Sequence, residues 1–220
     1  MPLEALVFDA YGTLFDVHSV IARCEARWPG HGAALSHLWR AKQLEYSWLR
    51  SLMGRYVDFE TITADALRFA CQSLDLACDA ADTRTLMEAY RNLETFPEVT
   101  EVMGALQGRK RAILSNGSSD MLNAVVRSSG LDATLDAVLS VDALKIYKPD
   151  PRVYQLAVDA LAVDRERIGF VSSNCWDACG AKSFGFRVFW INRAGNPVDA
   201  LGAVPDQILT KLSDMLPLLS

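Results

Sequence analysis

The sequence predicts an α/β protein: a parallel sheet flanked by helices, with a helical cap subdomain inserted near the N-terminus. Three observations predict it. Apolar runs rich in strand formers stop abruptly at polar residues, helical patterns separate the later runs, and one long early block shows helical spacing alone. Strands that are apolar throughout suit a sheet covered on both faces, and strands that alternate with helices make that sheet parallel.

The first run, residues 6–8, ends at Asp9. Residues 17–94 then carry no strand pattern. Over 35–56 apolar residues recur every three or four positions, a second helix is expected over 63–74 with Thr63 as its N-cap, and a third over 80–93. "TFPEV", residues 95–99, reads as the return linker. Four further runs follow: 112–114 before Ser115 and Asn116, 137–141 before Asp142, 168–171 before Ser172, Ser173 and Asn174, and 187–191 before Asn192 and Arg193. Helical patterns cover 121–130, 152–161 and 177–184. The expectation is a Rossmann-like core from residues 1–16 and 95–220, with the cap at 17–94. Open parallel sheets bind ligands beyond the carboxyl ends of their strands, so the polar residues that end these runs should converge on one crevice.

Composition narrows the function classes. A chain of 220 residues, half of them hydrophobic, readily buries a core. Its net charge of -5 supplies no broad basic field for nucleic acid or an anionic membrane, so an anionic substrate must be held by local Arg or Lys. Cys24, Cys71, Cys78, Cys175 and Cys179 form no CxxC pair, and their odd number suits reduced thiols. His18, His31 and His37 are scattered and give no zinc spacing. No signal-peptide pattern and no run of membrane-spanning length is present, so a cytoplasmic protein is expected.

The chemistry begins at "VFDAYGTLFD", residues 7–16. A carboxylate at a strand end ordinarily caps a helix or pairs with a lysine. Here "DAYGT" adds a turn glycine and the hydroxyl of Thr13. The segment resembles the first motif of the haloacid dehalogenase superfamily, whose aspartate attacks the substrate and forms a covalent intermediate. Ser115 and Asn116 in "AILSNGS", Lys148 in "YKPDP" and "FVSSNCWD" at 170–177 resemble the second, third and fourth motifs. Each is ordinary alone, since SN after a strand is commonly a turn and KP a loop. Four in order across an α/β pattern are specific, and the resemblance spans essentially the whole chain.

Two departures select within that superfamily. Its phosphatases typically carry a second Asp two residues after the nucleophile, where this chain has Tyr11, no general acid at neutral pH unless strongly perturbed. They also usually carry GDxxxD in the fourth motif, where this chain has Ser172, Ser173 and Asp177. A hard cation prefers several oxygen ligands, commonly carboxylates, so neither metal nor other cofactor is expected. A halide departs without a proton. Segments such as "LWRAKQLEYSWLRSLM" and "YKPDPRVY" accordingly resemble the L-2-haloacid dehalogenases.

That resemblance implies hydrolysis of short (S)-2-haloalkanoic acids to (R)-2-hydroxy acids and halide ion. Asp9 would attack C2 with inversion, and water would hydrolyse the resulting ester. It assigns Asp177 as base, with Asn174 and Lys148 placing the water, and Thr13, Ser172 and Tyr154 in the network around Asp9 and Lys148. Ser115 and the backbone around Ala10 and Tyr11 would bind the substrate carboxylate. Arg40 and Asn116 would receive the halide; only the resemblance of "LWRAKQLEY" separates Arg40 from an arginine on a solvated helix face. Tyr11, Gln43, Leu44, Phe59 and Trp176 would wall the pocket. It also implies a homodimer, for which the aromatic helix around Trp39, Tyr46 and Trp48 is one surface, unless those rings merely pack the cap. Two other readings stand beside this one: a Mg²⁺-dependent small-molecule phosphatase or phosphonatase, and a non-catalytic binding domain.

Overall fold

The computed structural model describes residues 2–219, except the side chains of 18 and 19. The outer limits of the expected core (1 and 220) and the side chain of His18 therefore lie outside the described residues. Six parallel strands form one sheet: β1 (Ala5–Phe8), β2 (Lys110–Ser115), β3 (Ala137–Ser140), β4 (Ile168–Ser172), β5 (Arg187–Ile191) and β6 (Gln207–Leu209), in the order β3-β2-β1-β4-β5-β6. β1 and β4 are buried at every position, which explains their unbroken apolar runs. The strand order reverses at β1, so the crevice lies over the carboxyl ends of β1, β2 and β4. Helices α5 (Val99–Ala105), α6 (Ser119–Ser128), α7 (Pro151–Leu161) and α8 (Cys175–Phe184) flank the sheet. The short α5 and β6 were not legible as periodic runs.

Between β1 and β2 the chain forms α1 (His18–Arg27), α2 (Gly32–Leu52), α3 (Phe59–Ser73) and α4 (Ala80–Arg91). This block leaves and rejoins the sheet at one place. Asp16 N–H donates to Glu94 O at 2.8 Å, and Phe96 N–H to Leu14 O at 3.0 Å. α2 stops at Leu52 rather than running to 56, with Gly54 at a positive φ of 64° in the turn that follows. α3 starts four residues earlier than expected because Asp58, not Thr63, is its N-cap: the Asp58 carboxylate accepts from Thr61 N–H at 2.8 Å. Thr63 lies inside the helix, fully buried. Among the described residues, no helix is long and apolar enough to cross a membrane.

Two clasps join the block to the core. Tyr56 hydroxyl donates to Asp142, which also accepts from Ser119 N–H at 2.8 Å, and Tyr147 hydroxyl donates to Val57 O at 2.6 Å. Asp142 thus ends its strand as a fastening. Arg193, after β5, bonds Glu98 at 2.6 Å and Thr13 O at 3.3 Å, bracing the exit turn from behind. The expectation that every strand end feeds the crevice is corrected at these two strands, because β3 is an edge strand and β5 lies beyond the switch point.

Candidate active site

Register places the first reacting group. Phe8 is level with Ile113 and Val171, so Asp9 projects from the end of β1 between β2 and β4, its N–H still bonded to Val171 O at 2.9 Å. The chain then folds back sharply. Thr13, Leu14 and Phe15 N–H groups all point to Ala10 O, and Gly12 takes φ +84°, a conformation that L side chains rarely adopt. This turn returns Thr13 toward Asp9 and, through Ser173 N–H at 2.8 Å, ties the turn to β4's end.

The two oxygens of Asp9 differ. Oδ2 accepts from Asn174 Nδ2 at 2.8 Å, with Thr13 Oγ1 at 3.4 Å and Ser172 Oγ at 3.5 Å, the latter two long for hydroxyl hydrogen bonds. Among the described residues, Oδ1 meets only Lys148 Nζ, at 3.1 Å. Lys148 is 1% exposed and its ammonium also donates to Asp177 Oδ2 at 2.9 Å. Its backbone N–H donates to Asn116 Oδ1 at 3.0 Å, which ties the third motif to the second. Burial opposes the Lys148 charge, but Asp177 and Asp9 outweigh it and hold the ammonium above the ordinary lysine pKa.

Asp177 is fully buried, and its other oxygen accepts from Tyr154 hydroxyl at 2.9 Å. Burial pushes its carboxyl up to about 6, Lys148 pulls against that rise, and the Asp9 charge adds to it. Gly180 keeps this arrangement possible. A Cβ there would stand 2.5 Å from the Tyr154 hydroxyl and 2.6 Å from Pro149 Cβ, so only glycine lets the phenol reach Asp177.

Across the crevice, α2 presents Arg40, Gln43 and Leu44 on one face, as their three- and four-residue spacing requires. Together with Asp9, Tyr11, Phe59, Ser115, Asn116, Lys148, Asn174 and Trp176, Arg40 and Leu44 enclose a cavity of about 10 Å³. That is close to the space one water needs, so the side chains that line it must part to admit an organic substrate. Ser115 Oγ accepts from Gly117 N–H at 3.1 Å, which leaves its own proton to donate. Burial holds the Tyr11 phenol far above its ordinary pKa, which makes it a much weaker acid than the aspartic acid that phosphatases of this fold place there. Its ring stacks on Phe59, and Trp176 meets Trp48 edge-on with centroids 5.3 Å apart.

The structure therefore brings Asp9, Ala10, Tyr11, Thr13, Arg40, Leu44, Phe59, Ser115, Asn116, Lys148, Tyr154, Ser172, Asn174, Trp176 and Asp177 to one place. One position differs from expectation: Gln43 is buried behind Arg40 rather than forming the wall. Asp177 lies behind Lys148, outside the cavity lining. Sequence reasoning missed Thr63, whose hydroxyl holds Gln43. The donor set does not fit the magnesium common on this fold. Its two nearby carboxylates, Asp9 and Asp177, already share one ammonium, and the third position is the hydroxyl of Ser173, 3.2 Å from Thr13 Oγ1.

A nucleophilic carboxylate at the switch point, a buried lysine beside it and a helical block over both define a class of hydrolase, and comparison with known proteins gives its family. The haloacid dehalogenase-like hydrolase model matches residues 3–185, and the chain belongs to that family. An (S)-2-haloacid dehalogenase of Pseudomonas sp. (strain YL) is 53% identical over 212 residues, covering 96% of this chain and 91% of that protein. A crystal structure of an L-2-haloacid dehalogenase superimposes with a TM-score of 0.98 at 47% identity, over 100% of this chain and 99% of that one. The L-2-haloacid dehalogenase of Xanthobacter autotrophicus with chloropropionic acid covalently bound gives 0.92 at 40% identity, over 99% and 98%.

Proposed function

We propose that this protein is an (S)-2-haloacid dehalogenase that hydrolyses short 2-haloalkanoates through an Asp9 ester. One observation carries the reading: the crevice holds a carboxylate nucleophile paired to Lys148, while the positions of a leaving-group acid and a third metal ligand are Tyr11 and Ser173. That combination suits a leaving group needing neither proton nor cation. It disfavours the magnesium phosphatase. A non-catalytic binding domain would have no use for the buried Asp9–Lys148–Asp177 set.

Oδ1 of Asp9, with one contact against three on Oδ2, is the oxygen that attacks C2 from the face opposite the halogen. Arg40 and Asn116 take up the charge growing on the halide, and Ser115 with the Ala10–Tyr11 backbone holds the substrate carboxylate. Thr13, Ser172 and Tyr154 keep the carboxylates oriented, and Leu44, Phe59 and Trp176 exclude bulk water. In the second half-reaction water attacks the ester carbonyl, placed by Asn174 and Lys148, and Asp177 takes its proton. Residues 17–94 serve as the cap, hinged where 16 and 94 pair, over a core of 1–16 and 95–220. A homodimer, which the family resemblance implies, and a cytoplasmic location, suited to an odd number of cysteines with no CxxC pair, complete the reading.

Chloride release from (S)-2-chloropropionate tests the proposal. The expected result is formation of the (R)-hydroxy acid at a rate indifferent to exhaustive chelation, with the (R)-substrate spared. Activity that vanished with EDTA and returned with Mg²⁺ would favour the phosphatase chemistry instead. The Asp177 role has its own signature. The base must be ionised, and in the free protein its carboxyl is pushed up to about 6, partly by the Asp9 charge. Ester formation removes that charge, so kcat should fall with acid only below that value and be level above it. A kcat flat from pH 7 down to pH 4 would remove Asp177 from that role.

A further inference from the structure

Behind Arg40 lies a hydrogen-bond chain that runs away from the reacting atoms into the helical block. Arg40 Nη1 donates to Gln43 Oε1 at 2.6 Å, Gln43 Nε2 donates to Thr63 Oγ1 at 2.7 Å, and Thr63 Oγ1 donates to Phe59 O at 2.6 Å. Gln43 and Thr63 are both fully buried. The chain has only one consistent direction. A guanidinium has donors and no acceptor, so the amide oxygen of Gln43 must face it. The amide nitrogen then faces Thr63, whose hydroxyl has to accept and must therefore spend its single proton elsewhere, on the Phe59 carbonyl one helical turn back.

We propose that Thr63 is a positioning residue for the carbon–halogen cleavage: through Gln43 it fixes the amide orientation that aims Arg40 at the departing halide. The inference rests on the dehalogenase reading above. It also accounts for a buried polar pair in an otherwise apolar helix contact, since α3 carries Phe59, Ile62, Ala66 and Leu67 on the same buried face. Were Thr63 replaced by an apolar residue, the Gln43 amide N–H would be buried without an acceptor, and the side chain would swing away to find one, drawing its oxygen from Arg40. The guanidinium would then lose its brace and leave its place. Asn174 Oδ1, at 3.5 Å from Arg40 Nη2, is too distant to hold it alone.

The test is Thr63→Val, with Thr63→Ser as rescue, assayed on 2-chloro-, 2-bromo- and 2-iodopropionate. Wild-type turnover of the chloro acid establishes the dehalogenase reading separately, so its absence would sink that reading rather than this one. The variant should lose kcat/KM by about tenfold to a hundredfold on the chloro acid, less on the bromo acid and least on the iodo acid, because the poorest leaving group leans most on Arg40. Thr63→Ser, which keeps the hydroxyl, should restore both rate and halogen order. Equal loss for all three halogens, or no loss in a folded variant, would overturn the proposal. Should Thr63→Val fail to fold, Thr63→Ala against Thr63→Ser gives the same comparison.

Discussion

Asp9→Asn should abolish turnover, by about 10⁴-fold or more, because the amide offers no anionic oxygen to displace halide. The remaining contacts would stay in place, since Lys148 keeps Asp177 and Asn174 keeps its backbone anchor to Ser172 at 3.1 Å. A loss this large in a folded protein therefore reports on the nucleophile. The complementary measurement uses the unaltered enzyme, in excess over substrate, in ¹⁸O water. One turnover should place label in the Asp9 carboxylate and leave the first hydroxy acid unlabelled, since water attacks the ester carbonyl and not C2. Label in the first product would mean direct attack by water. A fully active Asp9→Asn protein, with the amide shown by mass to persist, would end the covalent mechanism.

Lys148→Met should be the second most damaging change, and it acts on rate and stability together. The ammonium sits 3.1 Å from Asp9 and 2.9 Å from Asp177 with almost no solvent contact. Removing it leaves two carboxylates facing each other in the core. Activity should fall by about a hundredfold to a thousandfold, as for loss of one preorganised donor. Stability should fall by about 3–5 kcal/mol, the usual cost of stripping one partner from a buried pair. That deficit has a pH signature. Asp177 already has a folded pKa raised by burial to about 6, and losing Lys148 removes the largest influence that lowers it. A carboxyl whose folded pKa lies above its unfolded value stabilises the protein at low pH and loses that contribution as pH rises through the folded value. Urea unfolding should therefore show a larger deficit at pH 8 than at pH 5. An equal deficit at both would place the cost in packing.

The sheet and the four motifs were readable because their signals are local. A buried parallel strand must be apolar at every position, so 6–8 and 168–171 announce themselves, and the polar residue that follows marks the crevice side. Asp9 stands at such a strand end, while Lys148 and Asp177 were recognised by the resemblance of their short segments to family motifs. So was Arg40: a helical arginine looks like any other until a family pattern singles it out. Thr63 shows the limit most clearly. A threonine ahead of an apolar stretch reads as a helix cap, but Asp58 bonds Thr61 N–H and takes that role, because a carboxylate in extended backbone satisfies the first-turn N–H groups better than a residue inside the helix can.

By itself the sequence determined the parallel core and, through its four motifs, which groups are present: the Asp9 carboxylate, its lysine, and the missing acids at Tyr11 and Ser173 that argue for halide. Tertiary structure alone decided how those groups face one another. It placed Asp177 behind Lys148 rather than in the cavity, gave Asp9 one crowded and one freer oxygen, and joined Thr63 to Arg40 through Gln43. The physical reason is range. Burial pattern and backbone turns are set by neighbours a few residues away, whereas hydrogen-bond direction and pKa depend on partners 20 to 165 positions apart that meet only once the chain has folded.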